Sequence, residues 1–497
     1  AASEYYRVVH QVGAAAVGVV LSLAFLRKFQ SALAGSRRRC RSLKPMRDLI
    51  TRQSGVAHGG DSTPQRLGIL TRALAELLPG YGPSTKAIAI WAPGRIEVAG
   101  KHTDYAGGRS LLAAVNRGLI VVLVPRGDDL CRITTLDPHA EEGDRCIEVR
   151  LHARETQRRR RTIPSGHWSA YVTVTLDRLA ANFASEGLQG FEAVVASDIP
   201  SAAGLSTSSA IVTAMFLALD AVNGLRDRPA YRRAIRSEAE LCEYLGCIEN
   251  GQTCRTLIGG AGVGTFGGSE DHTAILTCKK DELQQCSFLP LVCEKQLCFP
   301  PEWTFVIGVS GVVAKKTTTS TRKRYNDAVA MAKDAATSLG LEWLGQFSED
   351  LGPGGSAEAK YRSALYDKIA APDLVERAVQ FFVESEWVVP QIAEAIEARD
   401  EDAVGALSSL SQRLSDECLG NIVEETRWLA DKARQLGAIG ASAFGAGFGG
   451  SVWAIVTTSE ARRFLDEWET TYKEHFPFAA HQCAFFETRP EHGATVL

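Results

Sequence analysis

The sequence predicts a mixed fold of helices and sheets, α/β or α+β, spread over two or three domains. Apolar runs of strand length at 87–91, 119–124, 191–197, 303–309 and 451–457 alternate with longer helical stretches at 210–222, 325–339, 372–385 and 403–435. Loops rich in Gly and Ser punctuate these runs, one after 197 and one before 451. A chain of 497 residues, 45% hydrophobic and 23% charged, is long enough for two or three sizeable cores. No internal repeat is visible.

Charge and cysteine usage narrow the function classes. A net charge of −3 gives no reason to expect nucleic acid or an anionic membrane as partner. The 12 cysteines contain no Cys-x-x-Cys pair, and Cys242, Cys247 and Cys254 suit no common zinc spacing. Free thiols in a reducing, cytoplasmic compartment are expected. Nothing in the sequence specifies an oligomer, so a monomer is the simplest expectation.

The first 60 residues fit the rest poorly. Residues 12–26 are apolar and are followed by Arg27-Lys28 and a basic cluster at 37–41. The run is short for a membrane span and lacks a basic leader. A signal anchor, a targeting segment and translated upstream sequence all remain open. Residues 1–84 are therefore set apart as an N-terminal extension, and removing residues 1–60 is expected to leave function intact. The strand at 87–91 then leads into Ala92-Pro-Gly-Arg-Ile-Glu-Val-Ala-Gly-Lys-His-Thr-Asp-Tyr-Ala-Gly-Gly108, and 119–124 is the next strand. The arginines at 158–161 read as an exposed turn, and Trp168 opens a helix.

The strand at 191–197 leads into Pro200-Ser-Ala-Ala-Gly-Leu-Ser-Thr-Ser-Ser-Ala210 and then a long apolar helix. Small residues let backbone N–H groups approach a ligand, and the helix start adds aligned donors and partial positive charge. Hydroxyls from Ser206 to Ser209 supply more donors and a candidate oxygen ligand for Mg²⁺. This is chemistry for nucleotide phosphates without the Gly-Lys-Ser/Thr ending of a P-loop. Pro200, Ala203, Gly204, Leu205, Ser206, Thr207, Ser208 and Ser209 are the ATP-binding candidates. Downstream lie a glycine-rich stretch ending in Ser269-Glu-Asp-His272, a strand at 303–309 and Arg324-Tyr-Asn-Asp327. The last motif is Gly440-Ala-Ser-Ala-Phe-Gly-Ala-Gly-Phe-Gly-Gly-Ser451, whose glycines permit positive φ and close packing on a nucleotide loop.

Three of these segments, 92–108, 200–210 and 440–451, resemble in order the signature segments of the GHMP small-molecule kinases. The first is similar to the galactokinase sugar signature, and the resemblance spans roughly residues 85–460. It implies an α+β, two-domain GHMP kinase fold with the active site between domains at 85–299 and 300–497. It further implies an ATP- and Mg²⁺-dependent kinase of the anomeric hydroxyl of a monosaccharide, galactose first. Asp271 becomes the base or orienter and Arg95 its partner, since a guanidinium lowers a neighbouring carboxyl and neutralises a moving phosphoryl group. Lys101, His102, Asp104 and Tyr325 become the sugar contacts, Gly445 and Gly447 join the ATP site, and Ser208 with Glu249 hold the metal, Glu243 being the fallback.

Three departures qualify the resemblance. Lys101 stands where galactokinases carry a glutamate that contacts carbon 6, which admits a carbon-6-modified sugar such as a uronic acid. His272 replaces a glutamine and Phe444 a threonine. A galactokinase-like sensor without turnover is the alternative of another class. The presence of Arg95, Ser206 to Ser209 and Asp271 favours an enzyme.

Overall fold

The structure is a computed structural model that describes residues 43–46, 48–49, 64–82, 84–151, 167–200, 203–312, 319–348 and 356–497. The apolar run at 12–26 and the arginines at 158–161 lie outside the described residues. Thirteen strands are described: β1 Lys44–Pro45, β2 Lys86–Ala99, β3 Arg109–Pro125, β4 Leu130–Thr135, β5 Cys146–Arg150, β6 Phe191–Ser197, β7 Glu282–Ser287, β8 Val292–Cys298, β9 Trp303–Val309, β10 Gly440–Phe444, β11 Ser451–Thr457, β12 Ala484–Thr488 and β13 Thr495–Val496.

A nine-stranded sheet has the order β1-β2-β3-β6-β4-β5, with β13 beside β2, β7 beside β3 and β8 beside β7. Its pairings are antiparallel except β4 with β6. Helices α1 (Pro64–Leu77), α2 (Trp168–Phe183), α3 (Thr207–Asn223), α4 (Glu238–Asn250) and α5 (Glu270–Thr277) accompany it. Successive side chains of a strand face opposite ways, and here both faces are apolar. Ile88, Ile90, Leu119, Val121 and Leu123 pack under α2, α3 and α4. Ala87, Ala89, Trp91, Ile120 and Val122 pack under α1.

The second sheet, β10-β11-β9-β12, is antiparallel throughout. Around it lie α6 (Thr319–Ser338), α7 (Pro372–Phe382), α8 (Val389–Ala398), α9 (Glu401–Leu414), α10 (Glu424–Gln435) and α11 (Ala461–His475). Residues Ala430, Val452, Ala454, Phe464 and Trp468 form one core on it. The other face belongs to a core in which Ile96, Val98 and Leu111 of the first sheet meet Phe305, Ile307 and Trp453 of the second. The ends of β2 and β3 are thus embedded in the C-terminal half, which fixes everything between β2 and β3 against it.

Three expectations change. The described part of the N-terminal extension belongs to the fold: β1 pairs with β2, and Met46 and Leu49 are buried beside Leu70 and Leu74 of α1. The helix expected over 372–385 ends at Phe382 and continues as a π-helical turn, Val383–Val388, before α8. The stretch 403–435 is two helices, parted by a second such turn, Ser415–Leu419, and by left-handed Gly420. Gly420 supplies the positive φ that ends a helix without Cβ strain.

The β1 contact yields a stability prediction. Truncating a buried Leu or Met to Ala costs roughly 2–5 kcal/mol each. A chain starting at residue 61 loses β1, Met46 and Leu49, so it should melt several degrees below one starting at residue 43. Equal melting temperatures would show that this segment adds nothing.

Candidate active site

The loop between β2 and β3 is the sugar-signature segment, and its geometry is set first by irregular strand pairing. Register shifts flank Arg95 and Glu97 in β2, between Pro93 and Arg95 and again between Glu97 and Ala99. Such irregularities re-aim side chains, and here Arg95 and Glu97, two apart, both line one cavity. His102 follows with φ 58, and Asp104 and Tyr105 form a short helical turn.

Arg95 is only 2% exposed, and its partners come from two other motifs. Its Nε donates to Asp271 Oδ1 at 2.7 Å and its Nη1 to the Gly204 carbonyl at 2.6 Å. Its Nη2 lies 2.7 Å from the same Asp271 oxygen. Burial pulls the guanidinium pKa down, but the negative charges of Asp271, Glu270 and Glu97 outweigh it and raise it. Asp271 sits in the first turn of α5, where the helix dipole favours a carboxylate.

The serine loop approaches from the other side. Ser206 adopts φ 59 and caps α3 with no side-chain hydrogen bond, and its Oγ is buried without a partner. The first N–H groups of α3 are therefore open to an anionic ligand. Ala203 and Leu205 anchor the loop in the core between the sheets, while Gly204 takes φ 70. Ser209 Oγ is 2.9 Å from Glu249 Oε2 and 3.4 Å from Asp271 Oδ2. The serine beside the expected metal glutamate is therefore Ser209, not Ser208, which hydrogen-bonds Tyr171 instead. Helical periodicity explains the difference, because adjacent residues point about 100° apart. Glu243, the fallback, lies elsewhere: it accepts the Leu291 N–H and pairs with Arg255.

Cavity-lining residues include Arg95, Glu97, His102, Asp104, Tyr105, Ser209, Glu249, Asn250, Glu270, Asp271, His272, Tyr325 and Gly445. Among the sequence candidates, Arg95, His102, Asp104, Ser209, Glu249, Asp271, Tyr325 and Gly445 are thus brought together. Gly447 packs on Asn421 instead. His102 is fixed by both ring nitrogens: Nε2 donates to the Ala446 carbonyl at 3.0 Å, so Nδ1 accepts from Tyr105 at 2.8 Å. Gly267 and Gly268 are needed for close approach, since a Cβ would meet Tyr325 Oη at 2.7 Å and Asp104 Oδ2 at 2.5 Å. His272 Nε2 lies 3.3 Å from Glu249 Oε2 without hydrogen-bond alignment.

Two acidic groups outside the sequence-derived site candidates also line the cavity. Glu270 is buried, accepts from Ser110 Oγ at 2.9 Å, and donates its backbone N–H to Asp104. Burial, then the charges of Glu97, Asp104 and Asp271, push its carboxyl well above the usual range. Glu97 is 2% exposed and accepts the Gly445 N–H at 2.9 Å. Burial pushes it up to about 7 against the pull of Lys101 and Arg95. The signal for Glu97 was present, because it sits two residues from Arg95 on a strand.

Lys101 is the clearest correction. It does not line the cavity: its ammonium donates to Ser411 Oγ at 2.5 Å and lies 4.0 Å from Glu384 Oε1. Glu384, in the π-helical turn after α7, also accepts the Gly100 N–H at 2.8 Å. Arg377 of α7 donates to the His102 carbonyl at 2.8 Å and to Tyr105 Oη at 3.1 Å. A buried lysine must find acceptors, and those acceptors lie on the C-terminal side of the loop.

The comparisons with known proteins match this geometry. The galactokinase galactose-binding signature matches residues 80–125, the GHMP kinases N terminal domain residues 170–249, and the GHMP kinases C terminal model residues 392–474. The three fall on the sugar loop, the serine loop with α4, and strands β10 and β11 of the second sheet with α9, α10 and α11. The chain carries GHMP kinase N- and C-terminal domains together with the galactokinase galactose-binding signature. Similar curated GHMP relatives include a galactokinase of Pyrococcus furiosus, 25% identical over 82% of this chain and 99% of its own length. Another is a galactokinase of Mycobacterium tuberculosis, 26% identical over 76% of this chain and 92% of its own. In fold, the chain is similar to a Lactococcus lactis galactokinase complexed with galactose, with a TM-score of 0.67 and 22% identity over 85% of this chain.

The GHMP site predicts its own stability cost. Removing one member of a buried ion pair costs roughly 3–5 kcal/mol because the other charge is stranded. Glu384→Ala should lower the melting temperature sharply, and adding Lys101→Met should recover part of the loss. Additive losses in the double variant would mean that the two residues do not act as a pair.

Proposed function

We propose that this sugar 1-kinase transfers the γ-phosphoryl group of ATP to the anomeric hydroxyl of a neutral hexose, galactose first. The observation that carries the reading is the Arg95–Asp271 pair held between the sugar loop and the serine loop. Asp271 accepts or orients the proton of the attacking hydroxyl, and Arg95 holds it in place through Nε and Nη2. The guanidinium also faces the charge that shifts during transfer, where fixed positive charge acts most strongly. Asp104, with Tyr325 and His102 beside it, takes ring hydroxyls of the sugar.

The residues fit a metal-bound nucleotide. The open start of α3, with its unpartnered Ser206 hydroxyl, suits phosphate oxygens. Ser209, Glu249 and Asp271 offer a hydroxyl and two carboxylates near that start, and a hard cation accepts such oxygen donors. When bound, Mg²⁺·ATP supplies the phosphoryl group and neutralises its charge. Among the described residues no cluster of three or more His, Cys, Asp or Glu could hold a metal alone. Few protein ligands are what a phosphate-borne Mg²⁺ requires.

The walls favour a neutral over an acidic sugar. Among the described residues, five carboxyls (Glu97, Asp104, Glu249, Glu270 and Asp271) line the cavity beside the guanidinium of Arg95, while Lys101 points away. A lining so rich in carboxyls suits hydroxyl donors better than a sugar carboxylate, which supports galactose over the uronic acid alternative. The assembled Arg95, Asp271 and Ser209 likewise favour turnover over a sensor.

Hexose-dependent ADP release tests the reading, with phosphate found on carbon 1 by NMR. Asp271→Asn and Arg95→Ala should each lower turnover by roughly 10²-fold or more, the size of an acid–base or electrostatic contribution. Binding of ATP measured by calorimetry without Mg²⁺ should change little in Asp271→Asn. Turnover near the unsubstituted level in Asp271→Asn would move the catalytic role elsewhere. Galactose should also be preferred over galacturonate in kcat/KM, and the reverse order would restore the acidic-sugar reading.

A further inference from the structure

Glu97 has a buried oxygen for which the protein provides no partner. Its Oε2 accepts the Gly445 N–H, but Oε1 is buried and unpartnered, and the carboxyl lines the cavity beside Arg95. A side chain 2% exposed with an orphaned acceptor carries a free-energy cost unless a ligand supplies a donor. The neighbouring cations do not supply it. Arg95 turns its Nε, Nη1 and Nη2 toward Asp271 and Gly204, and the Lys101 ammonium donates to Ser411.

We propose that Glu97 is a substrate-binding residue that accepts a hydroxyl hydrogen bond from the sugar. The inference rests on the sugar-kinase reading and adds the residue that reads one hydroxyl. A carboxylate suits a hydroxyl donor, and a site built to bond a hydroxyl rejects the analogue that lacks it. Around Glu97 stand Arg95 on its own strand, Lys101 on the following turn, Glu270 of α5, Glu384 of the turn after α7, and the Gly445 N–H of the last glycine loop. Lys101 and Arg95 favour the ionised form against burial and against Glu384. Glu97 is itself tied to the C-terminal half through the Gly445 N–H.

The test is a cycle between protein and sugar. Galactose and its monodeoxy analogues are compared as substrates of the full chain and of Glu97→Ala and Glu97→Gln. One analogue should be at least tenfold poorer than galactose in kcat/KM with the unsubstituted protein, and that penalty should vanish in Glu97→Ala. The variant's loss on galactose should fall mainly in KM. Because kcat/KM reports the free enzyme, its acid limb should disappear in Glu97→Gln. If every analogue keeps its full penalty in Glu97→Ala, Glu97 touches no hydroxyl and the proposal falls. Should the unsubstituted protein turn over no hexose, the kinase reading fails by itself. Calorimetry of the same sugars without ATP then judges Glu97 by the same cycle in Kd.

Discussion

Arg95 is the interaction on which the rest of the site depends. One buried guanidinium bonds α5 through Asp271 and the serine loop through Gly204, while the backbone N–H of Arg95 donates to the Leu205 carbonyl. The last glycine loop closes on the same group, since a Cβ at Gly445 would stand 3.2 Å from Arg95 Nη2 and 3.1 Å from the Gly204 carbonyl. All three signature segments thus meet at one cation, although they are more than 100 residues apart in the chain. Burying an arginine is costly unless every face is satisfied, and here the acidic neighbours satisfy it. Those acids are the groups that chemistry at the site requires.

A second tie holds the sugar loop from behind. The π-helical turn after α7 points Glu384 and Ser385 inward, where they take the Gly100 and Arg109 N–H groups at either end of the loop. Arg377 takes the His102 carbonyl between them. A π-helical turn inserts a residue into a helix and redirects side chains that ordinary periodicity would leave outside. The loop is therefore clamped between two halves that share a core, which limits how far its carboxylates can relax when a ligand leaves.

Much of this was legible in the sequence. The strands Phe191–Ser197, Trp303–Val309 and Ser451–Thr457 match the expected runs because they are apolar on both faces. Arg95, Asp104, Asp271 and Tyr325 converge as the motif resemblance implied, since short motifs carry their own backbone geometry. What failed was long-range or rotational. Nothing near Lys101 announces that Glu384 and Ser411, roughly three hundred residues on, will take its ammonium. Ser209 instead of Ser208 is a one-residue rotation about α3. Helix 372–385 reads as continuous because the π-helical turn keeps an apolar pattern. Met46 and Leu49 were grouped with the basic N-terminus because polar residues at 51–63 separate them from α1.

The central claim is that Arg95 and Asp271 form one catalytic unit, and a double-mutant cycle on turnover tests it most directly. Rate constants for hexose phosphorylation are compared among the unsubstituted protein, Arg95→Ala, Asp271→Asn and the double variant. Residues acting as a unit are strongly non-additive, so the double variant should be about as slow as the slower single one. Multiplicative losses would contradict the claim, leaving the two residues as independent contributors that happen to touch.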